Sequence, residues 1–574
     1  MGGPSMTLGD GSRVAVIGGG PAGSFFSYFY LETAARLGLD TQIDIYEPKT
    51  YTQPGPAGCN MCGGIVSESL VQLLTAEGIN LPSSVVQRGI DSYVLHMDVG
   101  SVRIDPPGHE RRIAAVHRGC GPRGVTRQRW ASFDRHLLDL AQAKGARVLT
   151  ERVDGVQWEE GKPRVATKRG PSEPYDLLVV AAGVNGLGLK LLSSLGVDYA
   201  PPKTTKTFIC EFPLGEEVIE RYLGSSMHVF LLDMPRLEFA AIVPKGDYVT
   251  LCLLGKDVDK EMVSAFLDAP EVKQCFPPGW SVPTDFCRCS PSINVQGPSR
   301  PFADRVAFIG DCGESRLYKD GIGGAYRTAK AAAKTAVFEG VSAEDFRRHF
   351  LPTCRSLALD NRIGKLIFLV TRVIQHLKPG RRGILRNVSV EQSGGGRPRL
   401  SGVLWDTFTG SAPYRDVFVR TLHPLFLGRL AWETAMGLLP SIPRRRVKED
   451  IMKLGELGRV YRSGEIIIRQ GEPGDCMYVI QSGKVEVIRE VDGREVRLAE
   501  LGEGDFFGEM ALFDRDVRSA TVRPLGEVRA LTVDKKMFLR KIHEDPSLAF
   551  RIMQRMSGRI RELNGELAKR AQSE

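Results

Sequence analysis

No window of the 574-residue chain supplies the roughly 18 nearly uncharged apolar residues that a membrane-crossing helix needs. The nearest approaches, 367–373 and 425–439, are broken by Arg372 and by Arg429 and Glu433. Cysteine is scarce as well, and 11 in so long a chain exclude a disulfide-dense scaffold. With no apolar leader before Gly18, the expectation is a reducing, cytoplasmic setting with at most peripheral membrane contact. A basic stripe interleaved with aromatics is also missing. The formal charge is +9, but the basic residues are scattered and the run Arg444, Arg445, Arg446 sits between prolines, so no nucleic-acid partner is expected. No helix-turn-helix pattern follows the C-terminal helical stretch, which argues against a transcription factor. Among nine histidines no ligand cluster at helical spacing occurs. His96, His109 and His117 read as a polar loop, and no metal site is expected.

What is present is enough for several cores. At roughly 100–200 residues per domain the length implies three or four units, and 42% apolar with 25% charged residues excludes disorder throughout. Residues 1–12 read as a mobile lead. RVAVIG then gives a buried strand, a glycine turn and a helix over 21–37, and TQIDIYEP a second strand ending at Glu47. This strand–turn–helix–strand order opens a parallel dinucleotide-binding sheet. A further helix near Phe133, a strand at 175–183 and RVAFIGDCG at 305–313 continue it, whereas alternating runs across 204–255 read as an inserted antiparallel sheet. The stretch 346–439 reads as helical, 440–447 as a linker, and 448–574 as a β-roll ending in a helix from Lys535.

Gly18, Gly20 and Gly23 form G-x-G-x-x-G directly after the first strand. The first glycine allows the tight turn, the second the approach of a pyrophosphate, and the third close helix packing, with the phosphates at the helix N-terminus. Glu47, at the end of the second strand, has the position of a ribose-diol acceptor. Together with Gly310–Asp311 and the segment KDGIGGAYRTAKAAA, the fingerprint resembles the glutathione-reductase-type FAD binders, in particular their aromatic-hydroxylase and geranylgeranyl-reductase branch. The resemblance covers about 13–345 and implies an α/β FAD-binding fold with an antiparallel-sheet substrate domain, divided as 13–95, 121–200 and 296–345 for the flavin and 96–120 and 201–295 for the substrate. It also implies that Asp311 meets the ribitol or phosphates, and that Gly321, Gly323 and Gly324 meet the ring. In the same way Gly183 is implied to close a strand by the cofactor, and Arg129, or its competitor Arg127, to contact FAD.

Cys59 and Cys62 lie in PGPAGCNMCGGIV, where Cys62, Gly63 and Gly64 resemble the Cys-Gly-Gly segment that lies by flavin and substrate in geranylgeranyl reductases. Four readings stand for the pair: one cysteine shaping the flavin pocket, inert packing, a redox dithiol, and a metal site completed by Cys287 and Cys289. Only one dinucleotide fingerprint exists, so electrons come from a transient NAD(P)H, from a partner protein or from a quinone. The substrate is expected to be apolar. Reduction of an apolar molecule, prenyl or polycyclic, is the main reading; EFAAIVPK keeps Pro244 and Lys245 of the reductases' aromatic segment but has Ala241 where they have tryptophan, which counts against a prenyl substrate. Hydroxylation of an aromatic ring and a non-catalytic FAD scaffold are the alternatives.

From Gly464 onward, GEIIIRQGEPGDCMYVIQSGKVEVIRE and GEGDFFGEMALFDRDVRSATV resemble the cyclic-nucleotide-binding domain of catabolite-activator-type regulators and kinase regulatory subunits. Gly508, Glu509, Met510 and Ala511 match the turn and short helix of its phosphate cassette. Glu509 suits the ribose 2′-OH, and Arg518 the exocyclic phosphate oxygens through two parallel bonds. Ser519 and Ala520 resemble the bacterial cAMP pattern, which implies cAMP as effector, with the terminal helix of 535–570 moving as a lid.

Overall fold

The computed structural model describes residues 6–55, 58–106, 110–123, 129–186, 195–283, 286–393, 399–436, 457–491, 494–513 and 517–547, with scattered positions to 565. The expected linker 440–447 and the positions of His109 and Arg127 lie outside them. The chain divides into two compact units. One comprises Met1–Ser67, Ser83–His109 and Ile113–Gly455, the other Glu68–Pro82, Glu110–Arg112 and Glu456–Glu574.

In the first unit a six-stranded sheet runs in the order Phe302–Ala303, Val306–Phe308, Leu177–Val180, Arg13–Ile17, Gln42–Tyr46, Arg147–Leu149. All pairings are parallel except that of the edge strand Phe302–Ala303. The central strands are continuous apolar runs because both sheet faces are covered: Val14, Ala15, Val16 and Leu177 through Val180 are fully buried. Helix Pro21–Arg36 ends one residue short of the expected span, and its Phe25 and Phe29 meet Tyr326 of helix Gly321–Phe338 edge-on, at 5.6 and 5.5 Å. Gly310–Asp311 folds as a turn of 3-10 helix between that helix and the strand Val306–Phe308.

A second sheet has seven strands, ordered Cys287–Cys289, Phe208–Pro213, Tyr248–Gly255, Leu237–Pro244, Ser226–Phe230, Ser92–Met97, Gly100–Ile104. It corrects the expectation of a purely antiparallel insert, because Ser226–Phe230 pairs parallel with Ser92–Met97. These two strands come from distant parts of the chain, so no hairpin dictates their direction. Strand alternation sorts the side chains between two cores. Val229 and Leu231 join Tyr93, Leu95, Trp405 and Phe408 on the face covered by helices, whereas Phe230 and Leu232 join Phe212, Phe266 and Phe276 on the other. The expected helical stretch comprises Leu351–His376, Lys378–Gln392, Leu400–Thr409, Tyr414–Thr421 and Pro424–Met436. Phe368 and Phe426 are buried, while Leu369 and Trp432 are exposed. Among the described residues no helix is long and apolar enough to cross a membrane.

The second unit holds a β-roll of two sheets, Arg459–Tyr461, Val528–Asp534, Cys476–Ser482, Phe506–Phe507 and Arg494–Leu501, Val485–Val491, Thr521–Pro524. Ile468, Ile480, Val485, Phe507 and Val522 form its core. Helix Lys535–Glu544 begins at the residue expected for it.

Candidate functional site

The glycine turn is sterically committed. A Cβ on Gly23 would lie 1.9 Å from the Gly18 carbonyl oxygen, so only glycine lets the helix start this close to the strand. Gly20 is the N-cap and offers no side-chain cap, with Pro21 at the first helical positions, so the helix presents its first N–H groups without an internal acceptor. Glu47 is buried, which raises its carboxyl above the usual range, and it is held in place by accepting the Gly19 N–H and the Lys49 N–H, each at 2.9 Å.

The downstream segment meets this turn directly. Gly310 has φ +64°, and a Cβ on it would stand 2.6 Å from the Cβ of Ala22, in the first turn of the helix. Asp311 accepts from the Ser315 hydroxyl at 2.8 Å, and a Cβ on Gly321 would lie 3.9 Å from its carboxylate. Gly321, Gly323 and Gly324 open the helix Gly321–Phe338 behind Asp320, whose own carboxylate is taken by Ser67 and Arg316, both at 2.8 Å. Gly183 follows Leu177–Val180 in open space. Thus segments near residues 20 and 310 share one place.

The arginine at that place is Arg118, which sequence reading missed. Its Nη2 lies 3.6 Å from where a Cβ on Gly20 would be, and Asp134 accepts two bonds from it, at 2.9 and 3.0 Å, which secure its charge against the cost of burial. Arg129 instead is half-exposed and donates to Glu216 at 3.0 Å. The resemblance pointed to Arg129, at a spacing one residue longer than its pattern; Arg118 instead follows the strand Ile113–Val116 by two residues and reaches Gly20.

Cys59 and Cys62 sit on the loop over this turn, which Lys49 ties down by donating to the Cys59 carbonyl and the Asn60 side chain, both at 2.7 Å. Every described cysteine is a free thiol, and burial pushes the Cys59 thiol up to about 11 despite Lys49, so the lysine does not produce a thiolate there. Cys59, Cys62, Cys287, Cys289, His117 and Glu211 line one narrow cleft. The loop is anchored below by Lys245. Fully buried, it donates to the carbonyls of Gly63 at 3.0 Å, Gly64 at 3.2 Å and Val116. Gly64 is also obligatory as glycine, since its Cβ would lie 1.9 Å from the Val116 oxygen. Lys319, a second residue sequence reading passed over, places its ammonium 4.3 Å from the Phe408 ring centre and 4.9 Å from that of Phe239, with one bond to the Thr407 carbonyl at 2.8 Å. Met61, Tyr318 and Asp320, all in these segments, hold left-handed backbone conformations that cost non-glycine residues on the order of 1–3 kcal/mol each.

Of the histidines expected in a polar loop, one lies in a strand and another is buried in the loop after the strand Ile113–Val116. His96 is buried in the strand Ser92–Met97, and His117 is buried with its Nε2 3.3 Å from Glu211 and Nδ1 accepting the Gly121 N–H at 3.0 Å. The loop reading failed because the sheet supplies each ring with polar partners inside the protein.

In the β-roll, Gly508 turns at φ +76° into the one-turn helix Met510–Phe513, which contains Ala511. Glu509 and Arg518 are both buried, and Arg518 donates through Nη1 to the Gly508 carbonyl at 2.9 Å. A Cβ on Gly508 would stand 2.6 Å from that Nη1, so glycine is what admits the guanidinium. Ser519 Oγ lies 3.6 Å from Met510 Sδ, and Ala520 packs in the core.

Residues 458–545 match the family model of the cyclic nucleotide-binding domain. A CRP-like cAMP-activated global transcriptional regulator of Mycobacterium tuberculosis is 36% identical over 18% of this chain and 47% of its own length. The cAMP-dependent protein kinase type II regulatory subunit of Drosophila melanogaster is 36% identical over 24% and 36%, respectively. The chain thus spans less than half the length of these two relatives. Among solved structures, a flavoprotein/dehydrogenase from Cytophaga hutchinsonii has a TM-score of 0.48 at 12% identity, covering 74% of this chain and 98% of that one. Halogenase PltM in complex with phloroglucinol and FAD has 0.46 at 14%, covering 75% and 97%.

Proposed function

We propose that the chain is an FAD-dependent oxidoreductase of a small apolar molecule whose activity or assembly responds to a cyclic nucleotide, with cAMP as the effector. The observation that carries the flavin half is the contact of Gly310 with Ala22, which puts a second Gly-Asp segment against the uncapped start of the helix Pro21–Arg36. The residues fit the cofactor: Gly18 and Gly23, whose Cβ positions would meet backbone, bring the strand end close to the uncapped helix start, and a buried, oriented carboxylate stands at the end of the second strand. In this reading the first turn of Pro21–Arg36 holds the pyrophosphate, Glu47 the adenosine ribose, Asp311 the ribitol, and the start of Gly321–Phe338 the ring. FAD supplies the redox chemistry when bound. Cys62 and Gly63, held by Lys245 beneath their loop, shape the wall of the substrate cleft, and Lys319 contributes an amine enclosed by aromatic rings, whose charged form burial and Arg316 disfavour.

The nucleotide half rests on Glu509 and Arg518, buried in the matched domain. Arg518 keeps donors beyond the one bonded to Gly508 for the cyclic phosphate, and Glu509 accepts the ribose 2′-OH. The test is purification of the full chain with mass spectrometry of the released ligands, followed by flavin reduction with NADPH or dithionite, with and without cAMP. Oxygen consumption coupled to turnover marks oxygen transfer; anaerobic turnover marks reduction of the substrate. A folded chain that takes up no FAD ends the proposal, and equal reduction rates and substrate affinities with and without cAMP leave assembly as the nucleotide's role.

A further inference from the structure

The seven-stranded sheet holds a side-chain cluster that neither the flavin nor the nucleotide uses. His96 on Ser92–Met97 and His228 on Ser226–Phe230 lie on the sheet face that carries Phe230, their rings stacked with centres 5.1 Å apart. His96 Nε2 and His228 Nδ1 stand 2.8 Å apart. Cys275, just after the helix Pro270–Lys273, brings its Sγ to 3.9 Å from the first nitrogen and 3.6 Å from the second. All three are buried, at 4%, 5% and 1% exposure, and among the described residues they are the one group of this kind whose ligand atoms all lie within 4.8 Å of one another.

The outer ring nitrogens set the roles of the inner ones. His228 Nε2 faces the Leu223 carbonyl at 3.2 Å; a carbonyl only accepts, so Nε2 carries the hydrogen and Nδ1 points its lone pair inward. His96 Nδ1 faces the Ser101 hydroxyl at 2.8 Å, which either donates or accepts, so His96 frees the lone pair of Nε2 by reversing that bond. Anchoring of the far nitrogen by a main-chain carbonyl or hydroxyl is how ligating histidines are held.

The distances suit a small tetrahedral ion. Bonds of about 2.05 Å to nitrogen and 2.3 Å to sulfur place N and S about 3.6 Å apart and two nitrogens about 3.3 Å apart. Both observed N···S separations, 3.6 and 3.9 Å, are close to this. Only the N···N pair has to open, by roughly half an ångström, as its hydrogen bond is replaced by two metal bonds. A donor set of two imidazoles and a thiol with no carboxylate selects a borderline-to-soft cation over magnesium or calcium.

We propose that His96, His228 and Cys275 form a three-ligand zinc site that pins two strands of the sheet to the segment after Pro270–Lys273. Binding Zn²⁺ releases the Cys275 thiol proton to solvent, forms one Zn–S and two Zn–N bonds, and changes no oxidation state. The fourth tetrahedral position is left to an exogenous ligand.

The full chain is produced in zinc-supplemented medium, desalted and analysed for metal. About one equivalent of zinc is expected, retained in Cys62→Ser and Cys289→Ser and lost in Cys275→Ser and His228→Phe. Zinc well below about a tenth of an equivalent in the wild type, or zinc that follows Cys62 and Cys289, overturns the proposal. Because the buried variants risk misfolding, the wild type is also produced with cobalt(II). Intense red-region bands of tetrahedral cobalt, clear of the flavin, with a thiolate charge-transfer band support the site, and a spectrum without them overturns it.

Discussion

In the first unit the cradle proposed for a pyrophosphate is assembled from positions almost three hundred residues apart, Gly18 and Gly23 on one side and Gly310 on the other, whereas in the β-roll every part of the proposed nucleotide site lies between 471 and 520. The two also differ in charge. The guanidinium nearest the glycine turn, Arg118, is paired with the Asp134 carboxylate through two bonds. Arg518 in the roll donates to a carbonyl and to the Cys476 sulfur and lies over the Tyr478 ring, all neutral groups that do not cancel its charge. A cradle made of shape suits a group that stays; one made of charge suits a ligand that comes and goes with its concentration.

The strongest way to break that contrast is at Gly23. Gly23→Ala drives a methyl into the Gly18 carbonyl, and the purified variant is expected to carry essentially no flavin, read from its visible spectrum; retention of normal flavin would mean that the cradle is not the binding site. Next is Arg518→Lys, which keeps the charge and loses the fork. Calorimetry is expected to show at least a tenfold weaker cAMP affinity, about 1.4 kcal/mol, with flavin content unchanged. An unchanged affinity removes Arg518 from the site.

A smaller effect is expected at Lys245. Lys245→Met removes the ammonium from the carbonyls of Gly63, Gly64 and Val116, of which Gly64 keeps the Val116 N–H; a buried carbonyl left unsatisfied costs about 1–3 kcal/mol, and the Cys62 loop is freed. A lower Tm with faster alkylation of Cys62 is the expected pairing; slower or equal alkylation would show that Lys245 does not hold the loop. Smallest is a pH effect at Glu314, whose carboxyl burial raises from 4.5 to about 7. Because the folded state binds this proton more tightly, the stabilisation is complete below pH 4.5 and lost as pH rises through 7. Glu314→Gln, which cannot ionise, should therefore match the wild type in Tm at pH 4.5 and exceed it increasingly up to about pH 8. A difference independent of pH would contradict the buried ionisation.

Legibility followed locality. The turn at Gly18, the helix Pro21–Arg36 and the cassette from Gly508 to Ala520 could be read because spacing over a few residues encodes them. Arg118 could not, since nothing near it in sequence marks it as facing Gly20; its partner Asp134 lies on another element. The parallel pairing of Ser226–Phe230 with Ser92–Met97 was equally hidden, because alternation reveals a strand and its faces but not the direction of its neighbour. That same pairing turned His96 from a loop residue into a buried partner of His228.

The amino-acid order by itself determined the strand and helix types, the glycines that no other residue can replace, and the chemistry of the nucleotide cassette, since each depends on sterics and hydrogen bonds within a few residues. The tertiary structure alone decided which arginine meets the glycine turn, that four cysteines from two distant segments line one cleft, and that two histidines and a cysteine converge in the core. Those are relations between residues far apart along the chain, and only the packing of sheets and helices, which minimises exposed apolar surface over the whole unit, brings them within bonding distance.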